Sequence, residues 1–213
     1  MQRLPPEEYE KKKQQDIKEK LTYYYGPRDE SFKKIVRDIL LKGNLKPKYL
    51  DMLLTDDSLE IYGKAFTSNS IHSYLDEMTD KIIEDPNSDD NYEVYEKLGD
   101  GIFSNFIGWY AFRMLGQDKR VAQVKIYATI KSKYGAREEF APVAENLGLW
   151  PFISASMYKR THSKKSLLED VFEAFLGATS YILDEKIRYG VGYAICYDIL
   201  VSIFSTIKLQ TEF

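Results

Sequence analysis

Cysteine and histidine are almost missing from this chain: its 213 residues include one cysteine, Cys196, and two histidines, His72 and His162. A lone thiol excludes an internal disulfide framework and a cysteine-based metal site. Two histidines leave zinc sites and nucleophile–histidine triads poorly supplied, and His72 and Cys196 read most simply as structural. Any metal chemistry must rest on carboxylates, which favour a hard cation such as Mg²⁺ or Mn²⁺. A long apolar run is also lacking, since the longest, near 189–204, is interrupted by Asp198 and is short for a bilayer. The opening MQRLPPEEYEKKKQQDIKEK has no apolar signal-peptide core. Nor is positive charge in excess. The formal net charge of −3 excludes a strongly basic polyanion binder and leaves room only for local basic patches.

What the chain does have is a supply of core residues, with 44% hydrophobic positions, 17 Tyr and 11 Phe, which excludes a disordered or low-complexity chain. Helical spacing dominates. Residues 7–21 form a charged segment read as a solvated helix, and 1–27 is set apart from a domain at 28–213. Phe32, Ile35, Val36, Ile39 and Leu40 share one face of a helix over 28–42, with Gly43-Asn44 as its stop. Pro47 opens a short helix through Leu54, and Thr55-Asp56-Asp57-Ser58 caps the next. Further helices are expected over 69–83, about 91–115, 118–133, 138–147, 165–184 and 187–208, with a polar loop at 84–90. No segment alternates as a strand would. The expectation is an all-α domain whose interior helices, apolar nearly all round, are buried.

Two of those apolar helices carry acids in unusual surroundings. Glu96 and Asp100 are four residues apart and share a face; Asp170 and Glu173 are three apart and also share one. With 33 acids in the chain, such spacing alone decides little. Asp170 and Glu173, however, are flanked by Leu167, Leu168, Val171, Phe172, Ala174, Phe175 and Leu176, and a buried, unpaired carboxylate is unfavourable by several kcal/mol. Each acidic face also has a glycine, Gly99 or Gly177, which costs roughly 1 kcal/mol in a helix interior and points to close helix approach. Helices crossing there would bring four carboxylates to one point, a setting for Mg²⁺ that keeps some of its waters. Spacing leaves a second reading equally open, in which the acids simply meet lysines.

The same segments resemble the ribonuclease III family. Glu93-Val94-Tyr95-Glu96-Lys97-Leu98-Gly99-Asp100 is similar to its signature helix, ERLEFLGD, and Asp170 through Ala178 to its D-x-x-E-A-x-x-G-A motif. Upstream, Ala65-Phe66-Thr67-Ser68-Asn69-Ser70 resembles AFTHRS; between the motifs, Phe140-Ala141 through Asn146-Leu147-Gly148-Leu149 matches A-x-x-LGL in order and spacing. The resemblance covers about residues 50–185 and rests on motifs recurring in order. Val94 stands for the usual Arg, Lys97 for a Phe and Ser68-Asn69 for His-Arg, while all four acids are kept. YEKLGD together with Trp150 through Ser156 is similar to divergent forms from large DNA viruses.

The resemblance implies the ribonuclease III endonuclease-domain helical fold and a Mg²⁺-dependent endoribonuclease that cuts double-stranded RNA to 5′-phosphate and 3′-hydroxyl ends. Mn²⁺ would be a substitute and no organic cofactor is expected. Glu96, Asp100 and Glu173 are the expected metal ligands, with Asp170 a ligand or an orienting group. A homodimer is implied, with the Glu96 helix near its two-fold axis. Tyr95, Phe103, Phe106 and Trp109 fit burial there; Lys97 implies a repacked interface. The double-stranded-RNA-binding domain common in this family is not expected before Phe213. The cytoplasm is the expected location, the host's for a viral protein, with the nucleus left open.

The run Lys159-Arg160-Thr161-His162-Ser163-Lys164-Lys165 is read as a phosphate-binding loop, with Lys159, Arg160, Lys164 and Lys165 contacting RNA, against the alternative of an ordinary solvated loop. Lys119, Arg120, Lys125, Lys131 and Lys133 are candidates to extend it, whereas Lys11-Lys12-Lys13, set among acids, reads as plain surface. A non-catalytic RNA-binding or structural protein on the same fold is the alternative function, and the four retained acids argue for the enzyme.

Overall fold

Short polar side chains decide where helices begin in the computed structural model, which describes residues 6–43, 45–76, 79, 81–84, 90–115 and 137–205. Helix α1 (Pro6–Lys20) is charged along most of its length. Asp29 accepts from the Ser31 backbone N–H at 2.9 Å and starts α2 (Glu30–Leu40), which runs into a 3-10 turn at Leu41–Gly43. Pro47 takes the first position of α3 (Pro47–Leu53), where no N–H is needed. Thr55 accepts from the Ser58 N–H and caps α4 (Asp56–Ala65). Then come α5 (Glu93–Leu115), α6 (Arg137–Asn146), α7 (Met157–His162), α8 (Lys164–Lys186) and α9 (Val191–Ser205). The expected helix near 118–133, and the lysines and arginine on it, lie outside the described residues.

Helix α8 is the axle of the fold. Its apolar, near-continuous sequence is buried from Leu167 to Leu183 save for Asp170 and Tyr181, and α4, α5, α6 and α9 pack around it. The amphipathic α2 sends Phe32, Val36, Ile39 and Leu40 into the same core. Tyr62 of α4 stacks on Phe175 with ring centroids 5.2 Å apart, and its phenol shares a 2.9 Å hydrogen bond with the Thr179 hydroxyl, so the buried polar tip is satisfied. Arg28 acts as a strut before α2. It donates to the carbonyls of Phe152, Gly63 and Phe66, and its burial among them lowers its pKa to about 10.

The fold is all-helical, with two small sheets that the spacing did not announce. Strand β1 (Tyr23–Tyr24) pairs antiparallel with β4 (Ala155–Ser156), and β2 (Ser73–Asp76) with β3 (Lys81–Glu84). In place of the helix expected over 69–83, the described residues form a 3-10 turn at Asn69–His72 followed by the paired strands β2 and β3. Ser68 caps the turn at Ser70, and Tyr74 and Leu75 face Ile83 and Ile82 across the ladder, where β-branched and aromatic pairs outcompete helical spacing. The basic run 159–165 is not a loop. Ser156 accepts from the Lys159 N–H and caps α7, and Lys164 already begins α8. The last expected helix starts at Val191 rather than 187, after Gly190 reverses the chain at φ +91°. No helix among the described residues is long and apolar enough to cross a membrane.

Candidate active site

Two glycines let α5 and α8 cross at backbone distance. A Cβ added to Gly99 would lie 1.8 Å from the Glu173 carbonyl oxygen, and one added to Gly177 would lie 1.9 Å from that of Tyr95. No other residue type fits either position. The crossing sets the Glu96–Asp100 face of α5 against the Asp170–Glu173 face of α8, the meeting that the glycines in both acidic segments imply.

Electrostatics reports the same convergence. Glu173 is 8% exposed, and its pKa is pushed up to about 8 by burial and then by the charges of Glu169, Asp100, Glu96 and Asp170. Asp170 is half-buried and accepts the Tyr92 phenol at 2.9 Å and the Ser166 hydroxyl at 3.4 Å. Tyr92, itself buried, has its phenol pKa raised by desolvation and by the neighbouring Asp170 charge, so it stays a donor. Asp100 is exposed, with the Ser104 hydroxyl 3.5 Å from its Oδ1. Glu96 is mostly covered and pairs at 2.8 Å with the exposed Lys97 ammonium. Lys97 thus meets Glu96 at the rim, while Glu173 feels the charges of Glu169, Asp100, Glu96 and Asp170.

Glu169 and Tyr92 are the residues that motif-based reading passes over. Glu169 is 9% exposed, lies one turn before Glu173 and contributes the first charge acting on it. The i, i+4 spacing to Glu173 is as good a signal as that of Glu96 to Asp100. Tyr92 carries no comparable sequence signal.

This donor set suits a hard cation. Carboxylate oxygens gather at the crossing, and one group, Glu173, is driven toward its protonated form by burial and then by its neighbours' charges. No group of three or more acids, histidines or cysteines forms a ready-made cage among the described residues. That is compatible with Mg²⁺, which uses one or two carboxylates and keeps several waters.

The four predicted RNA-contacting residues are spread over α7 and the start of α8. Arg160 donates to the Ile153 carbonyl at 2.6 Å and is sandwiched between the rings of Tyr24 and Trp150, 3.9 and 4.0 Å from their centroids. Burial lowers its pKa. Lys159 donates to Asn69 Oδ1 at 2.6 Å, and the Asn69 amide donates in turn to Glu93 at 2.8 Å, at the N-terminus of α5. Lys164 pairs with Glu145 at 2.5 Å, and Lys165 is exposed.

No family model matches the chain. It is 34% identical over 202 residues to the inferred ribonuclease 3 of Invertebrate iridescent virus 6, covering 89% of this chain and 64% of that protein. To the inferred ribonuclease 3 of Frog virus 3 (isolate Goorha) it is 32% identical over 176 residues, covering 82% of this chain and 43% of that one. Among solved structures it superposes on the nuclease domain of ribonuclease III from Campylobacter jejuni with a TM-score of 0.51 at 20% identity, covering 78% of this chain and 99% of that domain. The fold is therefore that of a ribonuclease III nuclease domain. The chain carries a ribonuclease III-like domain that resembles these viral forms, and it spans from under half to just under two thirds of the curated relatives' length.

Proposed function

We propose that this chain is a Mg²⁺-dependent endoribonuclease that cuts double-stranded RNA and leaves 5′-phosphate and 3′-hydroxyl ends. The observation that carries this reading is the convergence of Glu96, Asp100, Asp170 and Glu173 at the α5–α8 crossing, registered in the raised pKa of Glu173. Glu96, Asp100 and Glu173 would hold the cation directly or through water. Asp170, fixed by Tyr92 and Ser166, would either join them or orient them. Bound there, Mg²⁺ would supply Lewis-acid stabilisation of charge on the phosphoryl oxygens and lower the pKa of a water, making hydroxide available as a nucleophile. The chain's own part is to hold the carboxylates in place on rigid helices and to bring the phosphate to them. Lys164 and Lys165 are the proposed phosphate contacts, because the Lys164–Glu145 pair lies at the surface, where such pairs are worth little and yield to a competing anion. Lys159 and Arg160, engaged with Asn69 and with Ile153, Tyr24 and Trp150, anchor the helix that precedes Lys164 and Lys165.

Purified protein incubated with an end-labelled RNA duplex should cut it in Mg²⁺ or Mn²⁺, stay inactive in chelator, and yield ends that a 5′-phosphate-dependent exonuclease can degrade. Duplex binding without cutting in either metal would replace this reading with the non-catalytic one.

The proposed assembly is a homodimer, since two sites facing one duplex are needed to cut both strands in a single encounter and a two-fold axis provides them. Phe103 and Phe106 turn into the chain's own core. It is Val94, Leu98, Trp109 and Phe112 that stand exposed along the outer side of α5, with Lys97 drawn onto Glu96 instead of projecting from that face. Sedimentation at micromolar concentration is expected to give twice the 24.8 kDa chain mass. A clean monomer that still cuts both strands overturns this assembly.

A further inference from the structure

We infer that the groove between α1 and the β2–β3 hairpin is a second binding surface for RNA backbone phosphates, separate from the basic residues of α7 and α8. The inference rests on the proposed reading of the chain as a duplex-RNA nuclease.

Helix α1 carries five acids and five bases, but the fold sorts them. Tyr9, Lys13, Asp16 and Lys20 recur at helical spacing, and that side, together with Lys12, faces Lys81 of β3. Among the described residues, the result is a groove of about 610 Å³ with four lysines and one aspartate on its walls, in a chain whose net charge is −3. Two elements far apart in sequence contribute to it, so its charge is a product of the fold rather than of a local run of lysines. Lysines at a groove act as point charges on flexible stems, suited to successive phosphates and blind to base sequence. A duplex recognised by shape and backbone is the nucleic acid such a surface fits.

The groove is also tied to the candidate active site. Helix α1 packs on α7, with the Lys20 ammonium 4.9 Å above the Tyr158 ring. The next residue, Lys159, reaches Asn69, and Asn69 reaches Glu93 at the start of the helix that bears Glu96 and Asp100. Contacts thus link the groove, through α7, to the N-terminus of the helix that bears Glu96 and Asp100.

The test measures binding of a fluorescent RNA duplex of about 30 base pairs against salt concentration for the wild type, Lys12→Gln/Lys81→Gln and Lys12→Arg/Lys81→Arg. Each lost phosphate contact lowers the slope of log K against log salt by about 0.9 on the duplex scale. The glutamine pair should therefore flatten the slope by nearly two and weaken binding on the order of 10–100-fold near 0.1 M salt, while the arginine pair binds like wild type. Wild type that binds and cuts duplex with no change in the glutamine variant overturns the groove alone. Wild type that binds no duplex at all overturns both the groove and the nuclease reading. A labelled polyglutamate peptide that binds wild type as tightly as the duplex does, and is lost in the glutamine variant, reassigns the groove to an acidic protein partner and overturns the RNA inference.

Discussion

Glu173→Gln should abolish duplex cutting while leaving duplex binding near its wild-type level. The amide keeps the shape of the side chain and removes the charge that would hold a cation at the crossing. A bound cation contributes several kcal/mol of charge stabilisation to phosphoryl chemistry; at about 1.4 kcal/mol per tenfold, its loss corresponds to a rate drop on the order of 10³-fold or more. Binding depends mainly on phosphate neutralisation by lysines that this substitution does not touch. Single-turnover cutting and anisotropy binding on the same duplex separate the two effects. Cutting at near wild-type rate in Mg²⁺ would remove Glu173 from the proposed chemistry.

The same variant reports on the metal-free protein. A carboxyl raised from 4.5 to about 8 keeps, in the folded state, a proton that the unfolded chain has lost. Across that window the native state binds more protons than the unfolded state, so stability falls as pH climbs from about 4.5 towards 8. In chelator, the wild type should melt lower at pH 8.5 than at pH 6, and Glu173→Gln, which has no proton to lose there, should show a smaller difference. Equal pH dependence in the two proteins would mean that Glu173 does not carry the strain of the cluster.

Sequence spacing makes the crossing legible because every signal there is local. Glu96 and Asp100, and Asp170 and Glu173, announce shared faces within a single helical turn, and Gly99 and Gly177 announce that those faces come close. Caps are equally local, so Pro47 and Thr55 mark helix starts that the structure keeps. What spacing cannot supply is pairing between distant segments. Tyr23 meets Ser156 only through the tertiary fold, and two-residue strands have no periodicity to read. The 73–84 hairpin hides for a related reason, since four-residue strands with apolar residues side by side look like a helical turn. Lys81 and α1 form their groove across the same kind of distance. Glu169 is the opposite case: its spacing from Glu173 is plain in the sequence, and only its place outside the recurring motif hides it.

Gly99→Ala and Gly177→Ala test whether that crossing is the keystone it looks to be. In an open helix interior, replacing glycine by alanine stabilises by about 1 kcal/mol, because the chain loses less freedom on folding. Gly101 provides that reference on the same helix: it is exposed, and a Cβ there meets nothing within 4 Å, so Gly101→Ala should raise the melting temperature slightly. At Gly99 the added methyl would sit 1.8 Å from the Glu173 carbonyl oxygen and 2.5 Å from its carbon; at Gly177, 1.9 Å from the Tyr95 oxygen and 3.0 Å from the Gly99 nitrogen. These are backbone atoms of rigid helices and cannot swing aside as a side chain would. The helices must part, and overpacking of this kind typically costs about 1–3 kcal/mol and occasionally more, which outweighs the propensity gain. For a domain of this size each kcal/mol is worth about 2–4 °C, so losses of several degrees are expected at both positions. Because the carboxylates ride on the two helices, the variants should also lose cutting activity at temperatures where they remain folded. Should Gly99→Ala melt like Gly101→Ala and cut like wild type, the close crossing is not what assembles the site.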